Sequence, residues 1–101
     1  MARHSVYILP QARKEIDRLP GYARQRIRKE IIDLRDNSEP SRSKQLDYQV
    51  EPGRDLRRLR VGTWRVVYLV DQEWNQVYVL AVRKRPPYQY SDLASLLAET
   101  E

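Results

Sequence analysis

Apolar positions along the chain change their period three times, and each change predicts an element. Residues 4–9 (His4-Ser5-Val6-Tyr7-Ile8-Leu9) form a short apolar run of the kind that makes a strand. Pro10 then suits the first turn of a helix, where its missing N–H costs nothing. Ala12, Ile16 and Leu19 recur at i, i+4 and i+7, one apolar helical face, and Pro20-Gly21 breaks that helix. A second helix follows with Tyr22, Ile27, Ile31 and Leu34 facing inward and Arg24, Arg26, Arg28 and Lys29 largely off that stripe, ending near Asp36-Asn37. The two helices are expected to form a hairpin packed on a sheet. Residues 37–54 carry Ser, Pro, Asn and Gly with little periodicity and predict a long connection, interrupted by a short Lys44-Gln45-Leu46 stretch.

Three strands come next. From Asp55 to Val61, Arg57, Leu59 and Val61 point one way and Leu56, Arg58 and Arg60 the other. Gly62-Thr63 signals a turn, Trp64 to Val70 a second strand, Asp71 to Asn75 another turn, and Gln76 to Arg83 the third strand. The last two strands are apolar on both faces, as central strands covered on both sides must be. Pro86-Pro87 stops the sheet, and Ser91 is the predicted N-cap of a short final helix with Leu93, Leu96 and Leu97 on one face. The predicted class is α+β: a small twisted antiparallel sheet in the order β-α-α-β-β-β-α, with an N-terminal helical hairpin packed on one face. Residues 1–101 read as one domain, without internal repeat or boundary.

Charge adds a partner class to this picture. Nineteen Lys and Arg face fourteen Asp and Glu, for a net charge of +5, and fifteen of the nineteen cations are Arg. The planar guanidinium matches phosphate oxygens and stays charged in any setting, so an Arg-heavy basic domain points to an acidic or phosphate-bearing partner; a merely basic soluble surface is the alternative. The absence of cysteine excludes disulfides and thiol chemistry and is compatible with a reducing cytoplasm, the expected location. The N-terminal residues do not read as a signal peptide, and the longest apolar stretch, Val77 to Val82, is too short to cross a membrane.

The usual catalytic constellations are missing. One His and no Cys leave no Cys–His pair and no His-rich metal site, and His4 reads as incidental surface. No glycine-rich phosphate loop is present, and Glu15, Asp17, Glu30 and Asp33 sit among Lys and Arg on helices as salt-bridged surface. What stands out is a set of cations on the meander. Four Arg fall within the nine residues Arg57 to Arg65, and Arg83, Lys84 and Arg85 close the third strand. Antiparallel pairing is expected to bring Arg58, Arg65 and Arg85 to one surface, followed by Tyr88 and Tyr90. Such a cluster repels itself unless an anion compensates it. The alternative is a solvated edge strand, whose charges guard against aggregation.

The segment Leu59-Arg60-Val61-Gly62-Thr63-Trp64-Arg65-Val66-Val67-Tyr68 resembles the core motif of the RelE/ParE toxins, and Val77-Tyr78-Val79-Leu80-Ala81-Val82-Arg83-Lys84-Arg85-Pro86-Pro87-Tyr88 resembles that family's closing strand and tail. The Tyr7-Ile8 strand, the helix from Ala12 to Leu19-Pro20 and the Lys44-Gln45-Leu46 stretch are similar too, so the likeness spans most of the chain in order. The resemblance implies the toxin of a type II toxin–antitoxin system, cutting messenger RNA on the ribosome without metal or cofactor by attack of a ribose 2′-OH on the adjacent phosphorus. It implies catalytic roles for Arg58, Arg65, Arg85 and either Tyr88 or Tyr90, and RNA-binding roles for Lys44, Arg57, Arg60, Arg83 and Lys84. A phenol with a pKa near ~10 needs nearby cations to act as a base at neutral pH. Arg58 stands where well-known members carry a Lys, and Leu56 where some carry a second Lys, so the general acid is unassigned. The implied partners are the ribosome and mRNA, a cognate antitoxin whose segment folds on binding, and operator DNA held through that antitoxin. Two other functions are compatible with the resemblance: a ParE-type DNA gyrase inhibitor without nuclease activity, and a non-toxic nucleic-acid-binding relative.

Overall fold

The structure, a computed structural model, describes residues 3–84 and 91–101. The elements are β1 (Ser5–Ile8), α1 (Pro10–Asp17), α2 (Gly21–Asp33), β2 (Ser43–Gln45), β3 (Arg54–Val61), β4 (Trp64–Asp71), β5 (Gln76–Lys84) and α3 (Leu93–Ala98). The class is α+β, with a helical hairpin on one face of a sheet. The sheet is mixed rather than wholly antiparallel: its order is β1-β5-β4-β3-β2, and β1 runs parallel to β5 from Ser5 opposite Gln76 to Ile8 opposite Val79. The hairpin and the connection behind it carry the chain from one edge of the sheet to the other. The β3–β4–β5 meander then fills the space between. The long connection contains β2, which pairs antiparallel with β3 and sets Lys44 opposite Arg58.

The sheet is covered on both faces, as its two-sided apolar strands require. On one face Ala12, Ile16, Ala23, Ile27 and Ile31 of the hairpin pack on Leu59, Val61, Val66, Tyr68 and Val79. On the other, Leu93 and Leu96 of α3 pack with Leu9, Leu56, Val67 and Leu80. Two details of the helical pattern differ from expectation. Tyr22 is 79% exposed, and Ala23 takes the inward position, in phase with Ile27, Ile31 and Leu34. The helical period explains the exchange: Ala23 is four residues before Ile27 and shares its face, whereas Tyr22, five before it, is turned to solvent. The N-cap of α3 is Asp92 rather than Ser91.

Two interactions fix the ends of the elements around the later site. The Tyr68 hydroxyl, in the hairpin-side core, donates to the Ser38 carbonyl at 2.8 Å and pins the residues after α2 to the sheet. Burial pushes the Tyr68 phenol above its ordinary range, so it stays a donor. Tyr68→Phe leaves that buried carbonyl unpaired and should cost about 1–2 kcal/mol, read from urea unfolding. At the other edge β1 stops at Val79, and the Glu15 carboxylate of α1 takes over by accepting the Val82 N–H at 2.8 Å.

Candidate functional site

Alternation along β3 decides which cations share a face. Leu56 belongs to the α3-side core, so Arg58 and Arg60, two and four residues on, lie on that same face. The register carries the row across the sheet: Lys44 opposes Arg58, Arg60 opposes Arg65, and Arg65 opposes Arg83. Lys44, Arg58, Arg60 and Arg65 line one cleft of about 300 Å³, together with Ser41, Arg42 and Ser43. Among the described residues no acidic side chain lines it. Lys44, Arg58, Arg60 and Arg65 around one small cleft, beside an Arg42 that is paired with Glu30, give it a positive field that attracts an anion.

The turn between β3 and β4 positions Arg65. Gly62 there has φ 61°, a left-handed conformation that a side chain would strain. The tight turn presents two carbonyls, and Nη1 of Arg65 donates to Gly62 O at 3.0 Å and to Trp64 O at 2.9 Å. The guanidinium is thereby oriented by backbone and keeps its positive charge uncompensated by a carboxylate among the described residues. From the other side Arg26 of α2 closes on the turn: its Nη1 lies 3.3 Å from where a Cβ on Gly62 would stand.

Two cations assigned to RNA by resemblance have other occupations. Arg57 lies on the opposite face, across from Tyr68, with only 13% of its side chain exposed. It donates to Asp55 Oδ2 at 2.9 Å, Ser43 Oγ at 3.1 Å and Glu39 Oε1 at 3.4 Å. Burial lowers its pKa, but the bond and charge of Asp55 more than reverse that, so it is a firmly charged structural tie. Arg83 lies beyond Arg65 in the row. Its Nε donates to Glu15 Oε2 at 3.1 Å, and its Nη1 and Nη2 donate to the two Asp92 oxygens at 2.9 and 2.5 Å. The Asp92 bond is the chief cause of its raised pKa, and the same bond holds the Asp92 carboxyl below the usual range.

Lys84 pairs with Trp64, which packs on the hairpin-side core, and is directed away from the cleft. Arg85, Tyr88 and Tyr90 lie outside the described residues. The structure thus brings together Lys44, Arg58, Arg60 and Arg65, and sets Arg57 and Lys84 apart. Arg42 is the cleft residue that sequence reasoning missed; its Nη2 lies 2.7 and 2.6 Å from the two Glu30 oxygens. Its signal was the spacing to Lys44, two residues on, once 42–45 is laid beside 57–60.

The family model of the ParE toxin of type II toxin–antitoxin systems, parDE, matches residues 6–86. The chain belongs to the RelE/ParE toxin superfamily. Solved RelE toxins share this toxin's fold. The archaeal RelE of the RelE–RelB complex from Pyrococcus horikoshii OT3 is 24% identical, with a TM-score of 0.75 over 87% of this chain and 100% of that one. The toxin–antitoxin complex RelBE2 of Mycobacterium tuberculosis contains a chain 25% identical, with a TM-score of 0.69 over 82% and 99%. The isolated RelE toxin of E. coli is 19% identical, with a TM-score of 0.62 over 97% and 99%. No curated protein matches the chain significantly.

Proposed function

We propose that this RelE/ParE toxin is a ribosome-dependent mRNA endoribonuclease that stops translation. The observation that carries this reading is the cleft itself: Lys44, Arg58, Arg60 and Arg65 side by side, with no acid among the described residues of the lining. The chemistry needs no protein nucleophile. A ribose 2′-OH attacks the adjacent phosphorus, the bond to the 5′-oxygen breaks, and the products are a 2′,3′-cyclic phosphate and a 5′-OH. Negative charge accumulates on the phosphorane-like transition state, and guanidinium groups held in place beforehand stabilise it. Arg65, oriented by the turn carbonyls, is suited to that work, with Arg58 beside it. Arg58 serves as a charge rather than as a proton donor, because a guanidinium does not deprotonate in proteins. Tyr88 or Tyr90 is the proposed base.

The working partner is an acidic antitoxin segment that folds onto the +5 chain and closes the cleft, as the solved RelE–RelB complexes encourage. Operator DNA is reached through that antitoxin, and the cytoplasm is the proposed location. Among the described residues no helix is long and apolar enough to cross a membrane. The matching family model, named for ParE, favours a second reading, inhibition of DNA gyrase. Brief induced expression separates the two. Loss of translation with mRNA cut at defined positions is the expected result. A DNA-damage response with intact mRNA overturns it in favour of gyrase.

A further inference from the structure

Arg83 presents two kinds of donor to two different acids. Its Nε is taken by Glu15, which also accepts the Val82 N–H and so belongs to the scaffold. Its Nη1 and Nη2 meet the two oxygens of Asp92 end-on. That two-pronged geometry is the one a guanidinium offers to a phosphate. Arg83 stands directly across from Arg65 in the sheet register, one strand spacing, about 5 Å, further along the cationic row.

The Asp92 carboxylate is not tied to the helix it precedes by a hydrogen bond. Asp92 is the N-cap of α3, but its side chain makes no capping bond; the first helical bond runs from the Leu96 N–H to the Asp92 main-chain carbonyl at 3.0 Å. The side chain is 40% exposed, so water can replace Arg83 around it at little cost. Behind it α3 is six residues long and held by Leu93 and Leu96, with Arg54 donating to the Thr100 hydroxyl at 3.0 Å and carbonyl at 2.9 Å at its far end.

We propose that Arg83 is a phosphodiester-binding residue whose ligand position is held in the free chain by the Asp92 carboxylate, so that an RNA backbone and the start of α3 compete for one guanidinium. Glu15 keeps the guanidinium in place while its outer edge exchanges a carboxylate for a phosphate. The inference rests on RNA as the ligand of the neighbouring cleft, but it concerns binding, not cleavage. Asp92 and the start of α3 then act as a plug, opened by the same anion that fills the cleft.

The test uses the full chain and a 2′-O-methyl RNA hexamer, which offers no 2′-OH for attack, with binding followed by fluorescence anisotropy. Asp92→Asn keeps the size of the residue and removes its charge, and should tighten binding about five-fold. Arg83→Gln should weaken binding and abolish the gain from Asp92→Asn in the double variant. Arg83→Lys, which keeps the charge and loses the fork, should reduce that gain and stands in if Arg83→Gln unfolds. Saturating hexamer should also speed amide exchange of residues 93–98 in the wild-type chain. A gain from Asp92→Asn that persists without Arg83 would be a general charge effect and overturns the proposal. So does the absence of any gain, or a hexamer that binds neither wild type nor Asp92→Asn. Because no ribosome or cleavage step enters, a chain that fails to cut mRNA yet passes these tests retains the plug, and the converse holds as well.

Discussion

Arg65→Ala is expected to lower ribosome-dependent mRNA cleavage by about 10²–10³-fold, the usual consequence of removing one preorganised donor from a developing oxyanion. The preorganisation is visible in the turn. Two carbonyls, Gly62 O and Trp64 O, hold one nitrogen of the guanidinium, and the left-handed Gly62 makes the turn tight enough to offer both. A side chain fixed by backbone does not have to be ordered when substrate arrives, so its full charge acts in the transition state. The same bonds lie at the rim of the sheet, outside both cores, so stability should move by only about 0.5 kcal/mol. Arg65→Lys retains a charge without the planar fork and should recover part of the rate. Cleavage on programmed ribosomes is measured beside thermal unfolding for each variant. Near wild-type cutting by Arg65→Ala, or a loss that tracks unfolding, removes Arg65 from the site.

Arg57→Ala should do the reverse one position before Arg58. Arg57 sits between Asp55, Ser43 and Glu39, and its removal leaves Asp55 in a half-dry setting where Oδ1 already has no hydrogen-bond partner. Breaking a buried ion pair from one side costs about 3–5 kcal/mol, and the residual exposure of both side chains places this one near about 3 kcal/mol. For a domain of this size that lowers Tm by roughly 10–20 °C. Activity measured well below Tm should change little, because Arg57 faces away from the cleft. Asp55→Asn added to Arg57→Ala should cost less than the two single changes summed, since the stranded charge disappears. Urea unfolding reads these differences. A stability change under about 0.5 kcal/mol would mean that water already screens the network, and a selective loss of cleavage would return Arg57 to the substrate.

The opposite expectations for Arg57 and Arg58 show how far a pattern read along the chain can go. Strict alternation from Asp55 to Val61 determined that the two residues face different sides, and the apolar period determined the hairpin and the meander, because both signals are local. The family motifs pointed to the same strands. The expected stripe is out of phase in the first turn of α2: Tyr22 stands five residues before Ile27, whereas Ala23 keeps the i, i+4, i+8 spacing with Ile27 and Ile31 and is the residue the fold buries. Pairings between distant segments were decided by tertiary structure alone. The Lys44-Gln45-Leu46 stretch stands out within residues 37–54 but does not say which strand it meets, and the pairing with β3 brings Arg42 and Lys44 to Arg58 and Arg60. Nothing in a run of cations says which already have partners. Arg83 reads as one more basic residue until the fold sets Glu15, sixty-eight positions away, and Asp92, nine positions on, against it. A local period is set by backbone geometry within a few residues. The compensation of a charge depends on which elements the sheet order brings side by side, and that is settled only when the whole sheet closes on both of its cores.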